Sequence, residues 1–210
     1  RGIETRVISK SSWTSQEIKD SIVAEYNRNS PPVLRWVLLV GDVDRMPPSY
    51  AFGNFPSDFW YCDFPTIDYY GEVGIGRFSA NTVAELQVML KKTLKFMINP
   101  PVDTWLSKSV LVAHKEQYPQ KYSACKRGIY FHSYPYYKYD MDTLMGYFPY
   151  ATNAAVIARI DSGRVIVNYR GHGLETAWDA WGYDNQQFGQ AQVNALNNGD
   201  RTPIFFNIAC

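Results

Sequence analysis

The sequence predicts an α/β fold of mostly parallel sheets flanked by helices. Short apolar runs alternate with amphipathic stretches along the 210 residues, the signature of strand–helix–strand units. The apolar runs are rich in Val, Ile, Leu and aromatics and are closed by Gly, Pro, Asn or Asp, the residues that end strands and helices. Composition agrees: hydrophobic residues make up 46% and charged residues 20%, which excludes a disordered chain.

The first helix is announced by Thr14-Ser15-Gln16-Glu17, where a threonine hydroxyl and a glutamate three residues on satisfy each other's backbone amides. Behind it Ile18, Ile22, Val23 and Tyr26 share one helical face, and the Asn- and Pro-rich segment 27–32 breaks the helix. Val33 to Val40 reads as a buried strand ending at Gly41-Asp42. A loop rich in Pro, Gly and aromatics runs from Met46 to about Asp68, and a second strand covers Tyr69 to Arg77 around Val73 and Ile75. Thr82-Val83-Ala84-Glu85 repeats the capping spelling and opens a helix with Leu86, Met89, Leu90, Leu94 and Met97 on one face. Asn99-Pro100-Pro101 stops that helix, because Pro-Pro cannot continue it and stiffens a connector. This sets the expected boundary between a first α/β subdomain, 1–101, and a second, 102–210.

The second half repeats the logic. Ser109 to Ala113 is a strand, a helix spans about Tyr122 to Phe131, and Tyr136 to Asp140 is a further strand. Asn153 to Ile160 is a helix ended by Asp161-Ser162-Gly163. Val165 to Tyr169 is a strand that runs into Arg170-Gly171-His172-Gly173. A short helix from about Ala191 to Leu196 precedes the last strand, Pro203 to Cys210.

Charge excludes some partners. A net charge of +1 carries no electrostatic footprint for nucleic acid or anionic lipid, and no apolar run is long enough for membrane insertion as a helix. The three cysteines, Cys62, Cys125 and Cys210, lack both the density of a disulfide scaffold and zinc-ligand spacing.

Two features carry chemistry together. One apolar strand ends in Gly171-His172-Gly173 and a later one ends in Ala209-Cys210. Ligands of open α/β sheets bind beyond the carboxyl ends of the strands. If these strands are parallel neighbours, His172 and Cys210 emerge on one rim, and the residues between them suffice for one helical crossover. An imidazole can take the proton of a thiol, and the thiolate attacks a carbonyl carbon. Backbone amides of Gly173 and of Cys210 itself are the candidate oxyanion donors. Glycine at 171 and 173 removes side chains where a substrate backbone must approach.

These motifs resemble the gingipain family of cysteine endopeptidases, within the caspase-like clan. The resemblance is carried by Val37-Leu38-Leu39-Val40-Gly41-Asp42, Ser57-Asp58, Tyr70 to Ser79, the string Gly171-His172-Gly173-Leu174-Glu175-Thr176-Ala177-Trp178, and Pro203 to Cys210. It implies two caspase-like subdomains side by side, with His172 as catalytic base and Cys210 as nucleophile in the second. It also implies an acidic residue beside the histidine, which falls on Glu116, and a substrate-binding surface from Gly171, Ala124, Glu175, Trp178 and Ile208. The implied activity is hydrolysis of protein or peptide substrates by a secreted or bacterial surface enzyme. No cofactor is required for that chemistry. Structural calcium is implied for the family, with Asp58, Asp63, Asp68 and Glu72 as the candidate ligands.

Two departures stand out. The arginine-specific members carry an acid in the specificity pocket near the position of Ala124, whereas no acid occurs between Glu116 and Asp140, and Lys121, Lys126 and Arg127 do. Strict specificity for Arg or Lys is therefore not expected. Family members also continue past the nucleophile, so a C-terminal part of the same polypeptide is expected to complete the pocket. Two alternatives stand beside hydrolysis: sortase-like transpeptidation at the same site, and a catalytically inactive binding module. His114-Lys115-Glu116 spells the H-x-E of zinc deaminases, but the P-C-x-x-C that must accompany it is absent.

Overall fold

The computed structural model describes residues 2–51, 53–64, 68, 70–137 and 140–209. The chain divides into two compact units, Arg1–Lys91 and Lys92–Cys210. The division falls inside a helix instead of at Pro100-Pro101. The last turns of that helix belong to the second unit because the Phe96 ring meets Trp105 at 6.2 Å and Lys95 pairs with Asp200.

In the first unit, α1 (Ser15–Tyr26) begins with the predicted reciprocal cap between Thr14 and Glu17. The parallel pair β1 (Trp36–Val40) and β2 (Gly74–Phe78) follows. Strand β2 is shorter than the sequence suggests, and Tyr69 lies outside the described residues. Ile18 and Ile22 of α1 close over Leu39, Tyr61, Cys62, Phe64 and Val73. Arg77 of β2 ties the loop to this sheet. Its Nε and Nη2 donate to the two Asp58 oxygens at 2.8 and 2.6 Å, and Nη1 donates to the carbonyls of Gly41 and Met46. Helix α2 (Val83–Ile98) leads out of this unit, and none of its residues is buried.

The second unit holds a four-stranded parallel sheet of order β4-β3-β5-β9. Its strands are β3 (Lys108–Ala113), β4 (Asp140–Met145), β5 (Ile166–Gly171) and β9 (Ile204–Ala209). Crossover helices are α3 (Lys121–Tyr137), α4 (Asn153–Asp161) and α5 (Gln190–Asn194). Two expectations shift here. Helix α3 continues through Pro135 to Tyr137, so the strand expected over Tyr136 to Asp140 instead starts at Asp140. Between β5 and α5 the chain also forms a small antiparallel sheet of β6 (Gly173–Leu174), β7 (Ala177–Trp178) and β8 (Phe188–Gly189).

One sheet face buries Val110, Val112, Leu144, Val167 and Tyr169 against Val156 and Ile160 of α4 and against Trp178 and Trp181. The strand order sets the site. Connections from β3 run to β4 on one side and those from β5 run to β9 on the other. The carboxyl ends of β3 and β5 therefore flank the switch point, where α/β sheets open a crevice.

Candidate active site

The chain leaves β3 at Ala113 and the next residue, His114, donates its amide to the Arg170 carbonyl at 3.0 Å. This locks the end of β3 to the end of β5. The His114 ring is buried, and its Nδ1 accepts the Glu116 amide at 3.0 Å. An amide can only donate, so Nδ1 is unprotonated and the ring is held in the Nε2–H form. Burial first, and the neighbouring His172 second, push its pKa down, which keeps it neutral. That hydrogen bond also fixes the turn from which the Glu116 side chain extends.

Glu116 reaches across the switch point. Its Oε2 lies 2.5 Å from His172 Nε2 and accepts from Lys121 Nζ at 2.7 Å. The Lys121 ammonium, and then the imidazole, hold the Glu116 carboxyl below the usual carboxylate range. A carboxylate accepts only, so Nε2 is the donor. This leaves Nδ1 as the basic nitrogen of His172, and among the described residues it has no hydrogen-bond partner. The His114 ring stands edge-on to His172 at 4.9 Å and 88°. The Tyr122 hydroxyl lies 3.5 Å from Nε2.

The His172 backbone is equally fixed. Its carbonyl accepts from Tyr169 Oη at 2.8 Å and from the Asp179 amide at 3.0 Å. Gly171 is obligatory here: a Cβ would stand 2.2 Å from Tyr169 Oη and 2.5 Å from His114 Cβ. At Gly173 a Cβ would come within 2.8 Å of Ala209 Cβ, so the strand end after His172 lies close against the end of β9. In register, Gly171 pairs with Ala209 and Arg170 with Ile208. Cys210 itself lies outside the described residues.

The site residues named from sequence thus separate into groups. Glu116, Gly171, His172 and Gly173 come together. Ala124 is exposed on α3, and Ile208 is exposed on β9 beside Arg170. Glu175 is exposed in the turn between β6 and β7. Trp178 goes elsewhere: it is buried, stacked on Tyr169 at 4.2 Å and Phe188 at 4.6 Å, and its Nε1 donates to Asn207. It supports the strands under the site and does not wall a cleft. Sequence reasoning missed Tyr122, Lys121, Tyr169 and the orienting role of His114. His114 had appeared in the sequence as part of the H-x-E string and Lys121 as a cation following Glu116, without these roles.

The acidic loop of the first unit behaves differently from a cation cage. Asp58 is paired with Arg77. Glu72 Oε2 accepts the Phe64 amide, and Asp68 accepts the Tyr70 amide. Asp63 is buried, with Oδ2 unpartnered. Lys19 Nζ donates to the carbonyls of Trp60 and Asp63 at 2.7 and 2.8 Å and sits over the Trp60 ring. Among the described residues an ammonium faces these oxygens, and no three of the four acids bring ligand atoms within 4.8 Å of one another. Among the described residues the four acids, as placed, do not converge on one calcium cage. The His114, Glu116 and His172 ligand atoms do lie that close together, but His114 Nδ1 already accepts the Glu116 amide and Glu116 Oε2 already accepts from Lys121 and His172.

The sequence matches the profile of Peptidase family C25 over residues 4–210. The chain belongs to that family. Its curated relatives include Gingipain R2 and Gingipain R1 of Porphyromonas gingivalis, each 30% identical over 202 residues. The match covers 94% of this chain but 26% and 20% of those two proteins. Among solved structures, the Arg specific cysteine proteinase gingipain R superposes with a TM-score of 0.80 at 28% identity, over 94% of this chain and 45% of that one. A complex of the P. gingivalis RgpB pro- and mature domains gives 0.81 over 46% of its chain. This C25 chain therefore shares their α/β architecture of mostly parallel sheets flanked by helices, and it spans about a quarter or less of the length of these curated relatives.

Proposed function

We propose that this C25 chain carries the catalytic groups of a cysteine endopeptidase. Cys210 is the nucleophile, His172 the base and Glu116 the carboxylate that orients the imidazole. One observation carries the reading: His172 stands at the switch point of the sheet with Nε2 bound by Glu116 at 2.5 Å, while Gly171, its neighbour, is paired in register with Ala209, the neighbour of Cys210.

The chemistry follows from the tautomer. Nδ1 takes the thiol proton, and the sulfur attacks the peptide carbonyl carbon. Glu116 stabilises the imidazolium that forms and holds its orientation. Backbone amides at Gly173 and Cys210 receive the developing oxyanion. The C–N bond breaks as the imidazolium returns its proton to the leaving amine. Water, deprotonated by His172, then hydrolyses the thioester. The family likeness supports placing the enzyme outside the cell or on its surface, and no helix among the described residues is long and apolar enough to cross a membrane.

The test is made on the full-length protein. Iodoacetamide labels Cys210 in a pH-dependent manner, a peptide aldehyde protects it, and Cys210→Ala and His172→Ala each abolish peptide cleavage without unfolding the protein. Full cleavage by Cys210→Ala sinks the reading.

A further inference from the structure

The face of β5 that carries His172 meets α3 along a ladder of contacts. Tyr122 touches His172, with ring centroids 5.6 Å apart. One helical turn on, Cys125 Sγ accepts from Arg170 Nη1 at 3.3 Å. The next rung is Lys126, whose Nζ donates to Asn168. Below it Ile129 and Ser133 line a cavity of about 410 Å³ together with Ile166. Residues 166, 168 and 170 alternate along one strand face, as a strand requires, and the contacts of His172 continue that series.

The two upper rungs below His172 are cationic, and among the described residues no anion answers them. Arg170 is exposed and its described partner is a thiol, a weak acceptor. Lys126 is fully buried and its described partner is the neutral Asn168. Neither pairs with a carboxylate among the described residues. The nearby acids are engaged: Glu116 by Lys121 and His172, and Asp179 by Gln187. Buried charge normally has a partner, and the unpaired Lys126 ammonium beneath the exposed Arg170 guanidinium, beside the reaction centre, points to an anion that arrives with the substrate.

We infer that the surface beside His172, between the end of β5 and α3, accepts an acidic residue, aspartate or glutamate, on the acyl side of the cleaved bond, with Arg170 as its direct ion-pair partner and Lys126 adding positive potential beneath. This rests on the peptidase reading of His172. Arg170 lies two residues before the base, a spacing of about 7 Å along one strand face, which suits a side chain on the carbon next to the attacked carbonyl. Arginine presents a fork that binds a carboxylate through two parallel hydrogen bonds. Ile208, paired with Arg170, supplies the apolar flank. The preference is opposite in charge to that of the similar protease described as Arg specific.

The experiment uses the full-length protein and fluorogenic peptides that differ only in the residue before the cleaved bond: Asp, Glu, Ala, Arg or Lys. Labelling of Cys210 by iodoacetamide is read in parallel. The expected kcat/KM for Asp or Glu exceeds that for Arg or Lys by roughly ten- to a hundredfold, the effect of one charge-assisted pair. Arg170→Gln flattens the preference, Arg170→Glu inverts it and Arg170→Lys keeps part of it. An enzyme whose Cys210 labels but which prefers basic residues, or ignores their charge, overturns the inference alone. An acidic preference that survives both Arg170→Gln and Arg170→Glu overturns the role of Arg170. A protein that neither labels nor cleaves overturns the peptidase reading and this inference with it.

Discussion

Replacing Lys126 with methionine should stabilise the protein at neutral pH and destabilise it in alkali. Burial pushes the Lys126 ammonium down from 10.5 to about 8. At about 1.4 kcal/mol per tenfold, that difference amounts to about 3 kcal/mol by which the folded state disfavours the charged form. The sign is set by proton binding. Between pH 8 and 10.5 the unfolded chain holds the proton and the folded one has released it, so stability rises with pH across this window. Below pH 8 the full cost is present. Methionine keeps the length and apolar stem of the side chain but has no charge. It also removes the bond to Asn168, a loss of about 1 kcal/mol. The variant should therefore be about 2 kcal/mol more stable than the wild type at pH 7 and about 1 kcal/mol less stable above pH 10. Urea unfolding at pH 7, 8, 9 and 10, followed by the fluorescence of the buried Trp105, Trp178 and Trp181, measures the gap. Titrations common to both proteins cancel in the difference. A gap of constant sign and size across the series refutes the argument.

Glu116→Gln should cost roughly a hundredfold in kcat with little change in KM, the usual scale for disturbing a general base; a loss below threefold in steady-state kinetics contradicts the orienting role. Because Lys121 and His172 hold the Glu116 carboxyl below its ordinary 4.5, the ion pair is intact at neutral pH and is lost only as pH falls through that lowered value. A carboxyl titration by NMR at or above 4.5 would count against it. In the first unit, Arg77→Leu leaves Asp58 and the carbonyls of Gly41 and Met46 without their donor, with an expected loss of about 3 kcal/mol in urea unfolding. Arg77→Lys should recover less than half of this, since an ammonium cannot form the two-pronged contact; full recovery contradicts that geometry.

Much of the fold was legible because its signals are local. The cap at Thr14 and Glu17, the helix after Thr152 and the apolar runs of β1, β3, β5 and β9 are each specified within a few residues. The misreadings share a different cause. β4 spells Asp140-Met141-Asp142-Thr143-Leu144-Met145 and looks too polar for a strand of a buried parallel sheet. Asp142 is tolerated because Arg159 and Arg164, well separated in the chain, neutralise it. The aromatic run before it favours a strand by propensity, yet α3 continues through Tyr137, with Tyr134 and Tyr136 exposed on it. Likewise Glu116 was reachable through a family pattern, whereas Tyr122, Lys121 and Tyr169 gain their roles only when β3, α3 and β5 converge.

Strand β9 exposes all six of its residues, among them Ile204, Phe205, Phe206 and Ile208. The ladder that aligns Ala209 with Gly171 uses one flank of this strand; among the described residues its opposite flank is an open row of amides and carbonyls under greasy side chains. Such a row templates the addition of another extended segment. Colloidal behaviour and the alignment proposed for catalysis thus meet on the same six residues: shielding this flank should keep the molecule dispersed, and solution scattering that grows with protein concentration is the expected trace of leaving it bare.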